Sequence, residues 1–276
     1  MPPRLMFLPA HPGERRDARV VAAMARDYPD GTLIPSHAHR RSQLVFAISG
    51  VMTITTARGT WIVPPQRAVW MPAGFEHEIR VSGLLRMRTL YFEPGTAVEC
   101  ALPAACSVLD VTPLMREVIL RAAALDEAEA GTDADAPARL ERLLAVLLDE
   151  TRTLSILSLH LPIPDDARIA RICEALLADP SIDLTLQAWG RRVGASARTL
   201  TRQFTAGTGM SFAQWRQKAR LLASLPKLAR GESIVSVALD LGYESPSAFG
   251  AVFRRALGAT PAAYFRHGGR GRGGGE

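Results

Sequence analysis

The chain has 276 residues, enough for two domains that each bury a core of their own. Its three cysteines, Cys100, Cys106 and Cys173, are odd in number and lack metal-ligand spacing, so they read as reduced thiols and not as a disulfide framework. No segment approaches the roughly 18 uncharged apolar residues of a membrane span. The opening residues Met1 to Phe7 carry no long apolar run, so a soluble, cytoplasmic protein without a membrane partner is expected. The net charge of +6 is unevenly spread: residues 191–276 hold 14 Lys+Arg and 4 Asp+Glu, a net +10, which leaves residues 1–190 at −4. A basic excess confined to one end is what binding to a polyanion requires.

In chain order, Met1 to Tyr28 is an arm of mixed charge with several prolines. From Gly31 to about Phe92 the pattern is one of short strands punctuated by Gly and Pro. They are Gln43–Ile48, Val51–Thr56, Thr60–Val63, Ala68–Met71, His77–Val81 and Leu85–Phe92, all rich in β-branched and aromatic residues. Many short strands at regular spacing imply a closed or sandwiched β structure. Two helical patterns follow. Pro113 to Leu125 places Leu114, Val118, Ile119 and Ala122 on one side, and Pro137 to Thr151 does the same with Leu140, Leu143, Leu144, Leu147 and Leu148. Asp126 to Ala136, acidic and turn-prone, reads as a solvated loop between them. The second helix has more apolar surface than a lid on a small barrel needs, which points to a subunit interface, hence a homodimer, ahead of a third core layer. Ser155 to Asp166, with Pro162 and Pro164, reads as an extended connector where the domain boundary falls.

Within the β region, Gly31-(five)-His37-Ala38-His39-(three)-Gln43-(six)-Gly50 is followed by Pro72-Ala73-Gly74-(two)-His77. Residues two apart on a strand face the same way, so His37 and His39 can converge. The spacing resembles the two motifs of the cupin barrel, which implies that neighbouring strands bring two His, an acidic residue and a third His onto one metal. Here Gln43 stands in the carboxylate's place, Gln66 replaces an opening Gly and Val81 a closing Asn. The metal set that the resemblance implies is His37, His39, Gln43 and His77, with zinc, iron, nickel or manganese as candidates. The alternative is a small-molecule cup without metal, formed by His37, His39, Gln43 and His77 with Trp61 and Trp70, although each Trp also has a core reading. No Ser-His-Asp or Cys-His set with recognisable spacing and no Gly-rich phosphate loop is present, so an enzyme is not expected.

The back half repeats itself. Gly194-Ala195-Ser196-(three)-Leu200-Thr201-Arg202-Gln203-Phe204-(four)-Gly209-Met210-Ser211-(three)-Trp215 returns as Gly242-Tyr243-Glu244-Ser245-(three)-Phe249-Gly250-Ala251-Val252-Phe253-(four)-Gly258-Ala259-Thr260-(three)-Tyr264, offset by 49 residues from Ser196 onward. Each copy reads as a short helix, a glycine turn, a capping Ser and a second helix with apolar residues four apart, the pattern of a helix-turn-helix. Together with Leu186-Gln187-Ala188-Trp189 and Phe253 to Tyr264, the repeat resembles the AraC/XylS family of bacterial transcription regulators over Asp166 to Phe265. That resemblance implies two helix-turn-helix subdomains joined by one long helix, here Ser211 to Arg230. Pro226 inside that helix is expected to kink or interrupt it.

The fold expected is therefore α+β. A cupin-like β-barrel with two accessory helices (1–160) precedes an all-α domain of two helix-turn-helix subdomains (161–267) and a disordered basic Gly-rich tail (268–276). The function expected is a sequence-specific DNA-binding regulator that senses a small-molecule effector. Its partners would be double-stranded promoter DNA, a second copy and, for an activator, RNA polymerase. The competing readings are a metal or redox sensor using His37, His39 and His77, and a metal-dependent cupin enzyme with an appended DNA-binding domain. Leu200, Phe204, Phe249 and Phe253 should pack; Ser196, Arg198, Thr199, Thr201, Arg202 and Gln203 of the first unit should meet DNA. In the second unit these are Ser245, Ser247, Ala248, Ala251, Arg254 and Arg255. Arg198 and Arg202 can each make two bonds to guanine, whereas Ala248 and Ala251 offer little direct readout. The first unit should thus specify sequence, and the second, through Arg254 and Arg255, should anchor the backbone.

Overall fold

The computed structural model describes residues 21–128, 135–151 and 153–266. The arm up to residue 20, most of the loop after residue 128 and the Gly-rich tail lie outside the described residues. The chain forms two compact units, one of residues 1–54 and 63–158, the other of residues 55–62 and 159–276.

The strands and helices of the first part of the chain are β1 (Val21–Tyr28), β2 (Leu33–His37), β3 (Ser42–Thr56), β4 (Gly59–Val63), β5 (Arg67–Met71), β6 (His77–Phe92), α1 (Ala97–Ala101), β7 (Ser107–Asp110), α2 (Pro113–Ala128), α3 (Ala136–Thr151) and β8 (Ile156–Leu157). In the first unit the strand order is β1-β6-β3-β5-β7-β8, with β2 also on β6. Register pairs show antiparallel neighbours throughout, for example Val21↔Phe92, Gln43↔Met71 and Ala68↔Leu109.

Two pairs of expected strands are single long ones. Gly50 and Gly83 have positive φ inside β3 and β6, and a Cβ on Gly50 would lie 2.7 Å from the Leu85 Cα. Gly50 thus marks a close backbone approach within the sheet, and neither glycine ends its strand in a turn. β1 is a further departure from the sequence expectation: Val21–Tyr28, at the end of the expected arm, is a strand. Its Ala-rich sequence has low strand propensity, and pairing along β6 overrides it. Gln66, standing where the cupin motif has Gly, still adopts φ +63. Its amide N–H donates to Ala47 O, its Nε2 donates to Ile48 O, and its Oε1 accepts from Arg116 Nε, bonds that offset the left-handed strain.

One face of the sheet carries Leu44, Phe46, Ala68, Trp70, Leu90 and Phe92, which pack in one cluster with Met115, Val118, Ile119 and Ala122 of α2 and Leu140 and Leu147 of α3. Leu114 is exposed and Met115 takes its expected place, a shift of one position in the α2 stripe. Leu143, Leu144 and Leu148 are partly buried against the same cluster, so much of the α3 surface expected at a subunit interface serves as a third layer instead. The opposite face holds Val45, Val69, Met71, Val81 and Leu85, all essentially without solvent. Both faces being buried means that the sheet curls over itself, as a cupin-like barrel does.

The second unit contains β9 (His160–Pro162), α4 (Ala167–Ala178), α5 (Leu186–Val193), α6 (Ala197–Thr208), α7 (Phe212–Ala229), α8 (Ile234–Asp240), α9 (Pro246–Leu257) and α10 (Pro261–Arg266). Helices α5 to α9 each begin after a Ser or Thr (Thr185, Ser196, Ser211, Ser233, Ser245) whose hydroxyl accepts a bond from a first-turn amide. Gly194, Gly209 and Gly258 end α5, α6 and α9 in the left-handed conformation. Leu200, Phe204, Trp215, Phe249 and Phe253 are fully buried, as expected. Helix α7 is not interrupted: it runs unbroken through Pro226. The ring removes one donor near the last turn, and the Arg230 and Gly231 amides close the end on Pro226 O, Lys227 O and Leu228 O.

Part of the connector is strand, not free coil. β9 pairs with β4, with Gly59↔Pro162 and Trp61↔His160 in register, and the Trp215 Nε1–H donates to Pro162 O at 3.0 Å. His160 stacks on Trp61 at 4.0 Å. Burial, with Lys218 nearby, pushes its pKa down to about 4. A base whose folded pKa is lowered is protonated first in the unfolded chain, so its contribution to stability fades as pH falls from about 6.5 towards 4. His160→Gln is therefore expected to destabilise the protein more at pH 7.5 than at pH 5, measured by thermal melts of both proteins. Phe204→Ala, which empties the core between α6 and α7, should cost about 3–5 kcal/mol by denaturant unfolding.

Candidate DNA interface and sensor cup

Helices α5 and α6 meet at the turn Gly194-Ala195-Ser196. A Cβ on Gly190 would lie 2.4 Å from Ala195 O, so glycine is needed for α5 to reach the turn. From Ser196, α6 presents Arg198, Thr201 and Arg202 to solvent, with Thr199 half-buried beside them. Arg198, Thr199, Thr201 and Arg202 line one open depression of about 520 Å³. Among the described residues, neither Arg198 nor Arg202 has an ion-pair or hydrogen-bond partner. The hydroxyls nearby are engaged by the helix: Ser196 Oγ accepts from the Thr199 amide and lies 2.9 Å from Thr199 Oγ1, and Thr201 Oγ1 donates to Ala197 O. Thr201 thus keeps its acceptor lone pairs and its methyl for a base edge. Gln203 is not brought to this surface: it is half-buried, with Oε1 enclosed. It follows Leu200 by three residues, which turns it to the flank of the packed face.

In the second module Ser245 is spent on the cap of α9, accepting from the Ala248 amide. Ser247, Ala248, Ala251, Arg254 and Arg255 are exposed. Only small side chains therefore stand on the first turns, with two guanidiniums in the last.

In the first unit His37 ends β2 and His77 opens β6, and the two are register partners. One nitrogen each of His37, His39 and His77 lie within 4.8 Å of one another. The ring centroids of His37 and His77 are 4.4 Å apart, and those of His37 and His39 4.7 Å. His37 Nδ1 is 2.7 Å from Pro35 O, and His77 Nδ1 is 2.8 Å from Phe75 O. A carbonyl can only accept, so Nδ1 carries the proton in both neutral rings and Nε2 presents a lone pair. The Gly74 amide donates to His39 O, joining the two motif segments.

Along β6 the odd positions from His77 to Tyr91 are buried, and of the even ones up to Arg88 only Ser82 is. Tyr91 therefore shares the face of His77, and its ring is 5.8 Å from that of His39. Tyr91 was missed in the sequence, although the alternation of 85–92 carried the signal. Gln43, buried on β3, lies on the face opposite Leu44 and Trp70. Trp70 is consequently not in the cup. Period-two alternation puts it on the helix-covered face with Phe92, where its Nε1–H donates to Pro103 O. Trp61 is not there either, being stacked on His160 in the second unit.

Three nitrogen donors with two Nδ1 atoms held by carbonyls is an arrangement that can hold a divalent metal. No carboxylate belongs to the cluster among the described residues. Such a metal would be held by His37, His39 and His77 with a neutral shell, and it would supply a Lewis-acidic docking point for an anionic ligand.

A barrel with an interior polar cluster, followed by two helix-turn-helix modules on one long helix, defines a ligand-binding regulator of transcription. Comparison with known proteins agrees: residues 20–144 match the AraC-like ligand binding domain, and residues 189–267 match a helix-turn-helix domain family. The HTH-type transcriptional regulator NimR of Escherichia coli is 35% identical over 251 residues, covering 91% of this chain and 89% of that one. The HTH-type transcriptional regulator RipA of Corynebacterium glutamicum is 35% identical over 103 residues, 37% of this chain and 31% of that one. The chain belongs to the AraC/XylS family of transcription regulators. Gly190→Ala is expected to abolish specific DNA binding, because the added methyl meets a backbone carbonyl of the turn. Gel-shift titration beside a circular dichroism spectrum of the variant checks this.

Proposed function

We propose that the protein controls transcription by binding promoter DNA through α6 and α9, and that a small molecule bound among His37, His39, Gln43, His77 and Tyr91 changes that occupancy. A ligand acts by binding two arrangements of the molecule unequally. The first module specifies sequence: Arg198 and Arg202 are four apart, exposed and without an acidic neighbour among the described residues. That observation carries the assignment. The second module, with Ala248 and Ala251 where long polar side chains would read bases, anchors phosphates through Arg254 and Arg255. The sensor unit ends at the connector near residue 160, and the DNA-binding domain follows to residue 267. The protein acts as a homodimer, with the exposed side of α3 around Val146 as the contact, and it meets RNA polymerase where it activates. Its place of action is the cytoplasm, and it carries out no catalysis.

A second reading, metal-responsive regulation, is favoured by one observation. One nitrogen each of His37, His39 and His77 lie within 4.8 Å of one another, close enough to share one ion. On that reading purified protein retains zinc, iron, nickel or manganese near one equivalent per chain, and His77→Ala loses it; elemental analysis that finds none in either protein removes this reading.

Arg202→Ala should cost about 1–3 kcal/mol on the selected site and relax preference at one base position. Arg255→Ala should weaken all duplexes alike and flatten the salt dependence. Anisotropy titrations on specific and random duplexes over a salt series decide it; equal loss on both for Arg202→Ala contradicts the assignment.

A further inference from the structure

The two modules must be held at one separation if both recognition helices are to enter successive major grooves, roughly 34 Å apart. Helix α7 is the only covalent link between them, and it carries Pro226 ahead of the second module. One side chain of α7 reaches both modules. Arg220 donates from Nε to Pro180 O at 2.9 Å and from Nη2 to Ser181 O at 3.3 Å, both in the loop between α4 and α5. From Nη1 it donates to Gly242 O at 3.1 Å, in the turn between α8 and α9. Its Nη2 also lies 3.8 Å from Asp183 Oδ1, the carboxylate that takes Arg216 Nη1 at 2.6 Å. The Arg220 side chain is mostly covered, with 14% of it exposed.

The turn is shaped to receive it. Gly242 has φ +74, and a Cβ there would stand 3.0 Å from Arg220 Nη2 and 3.2 Å from its Cζ. Further along the helix, Lys227 Nζ reaches Asp240 of α8 at 3.0 Å and Glu232 at 3.3 Å. The second module is thus tied to α7 on both sides of Pro226. Arg216 also bonds the first module's loop through Asp183, but Arg220 joins that loop to the turn of the second module. A planar fork with five N–H groups can satisfy three carbonyls from two directions, which a Lys ammonium on a flexible stem cannot.

Resting on the DNA-binding reading above, we propose that Arg220 is a positioning residue that sets the spacing between the two DNA boxes, without touching DNA itself. Two modules on a stiff link bind as one ligand with a high effective concentration at a single separation. Loosening the link lowers that concentration and spreads it over many separations.

The test uses the full chain and a duplex selected from a random pool by the wild-type protein, with one base pair inserted or removed between the two protected boxes. Wild type should discriminate strongly between these spacings. Arg220→Gln should bind the selected duplex about tenfold more weakly and lose most of the preference for its spacing, while keeping its preference among bases within the first box. Arg220→Lys, which keeps the charge, should behave like Arg220→Gln. The proposal is overturned if Arg220→Gln keeps the wild-type spacing ratio, or if Arg220→Lys restores it. It is also overturned if both variants fail to fold by circular dichroism, which would make the arginine a requirement of the fold. A wild-type protein that selects no duplex would instead sink the DNA-binding reading, so the two failures are distinguishable.

Discussion

A single helix has to act as the ruler of this protein. Helix α7 shares its first turns with the core of one helix-turn-helix, through Trp215 against Phe204, and its last turns reach the other, where Lys227 pairs with Asp240 of α8. Everything on the DNA side depends on that helix staying in one piece. A reader of two successive grooves gains from linkage only when the separation of the readers is fixed beforehand, so that neither module spends its binding energy on orientation. The capping box at Ser211 and Gln214 secures one end of the helix, and the bonds of Arg220 and Lys227 brace it around Pro226.

The two modules are copies in architecture and unequal in chemistry. Both use a capping serine, a pair of buried apolar residues four apart and a left-handed glycine exit. The first sets two exposed arginines on its recognition helix, and the second sets serine and alanines there and keeps its arginines for the last turn. The sensor side builds its chemistry from the same economy of means. Strand alternation separates the histidine face, with Tyr91 and Gln43, from the face of Trp70 and Phe92 that packs under α2 and α3.

The parts of this arrangement legible in the sequence were those written in local periodicity. The tandem repeat, the caps, the packed Leu200/Phe204 and Phe249/Phe253 pairs and the His-x-His step all lie within a few residues of the features that define them. What stayed hidden depends on pairing between distant segments. Val21–Tyr28 has no strand signal of its own and becomes one against β6. Trp61 and Trp70 carry a ligand and a core reading alike in the sequence, and only strand pairing places Trp70 on the packed face and Trp61 against His160. Gln203 reads as a DNA contact because it follows the exposed Thr201 and Arg202, yet one step of 100° turns its amide to the flank. Arg220 has no signature in the sequence, since its partners are three backbone carbonyls 22 to 40 residues away. No spacing motif announces such a contact.

The central claim is that two groove-reading modules grip one duplex together. Hydroxyl-radical footprinting of the full-length protein on a duplex it has selected tests this most directly. The account predicts two protected patches on the same face of the DNA, with centres about one helical turn, roughly 10 base pairs, apart. A single patch, with the flanking turn as reactive as free DNA at saturating protein, would contradict it.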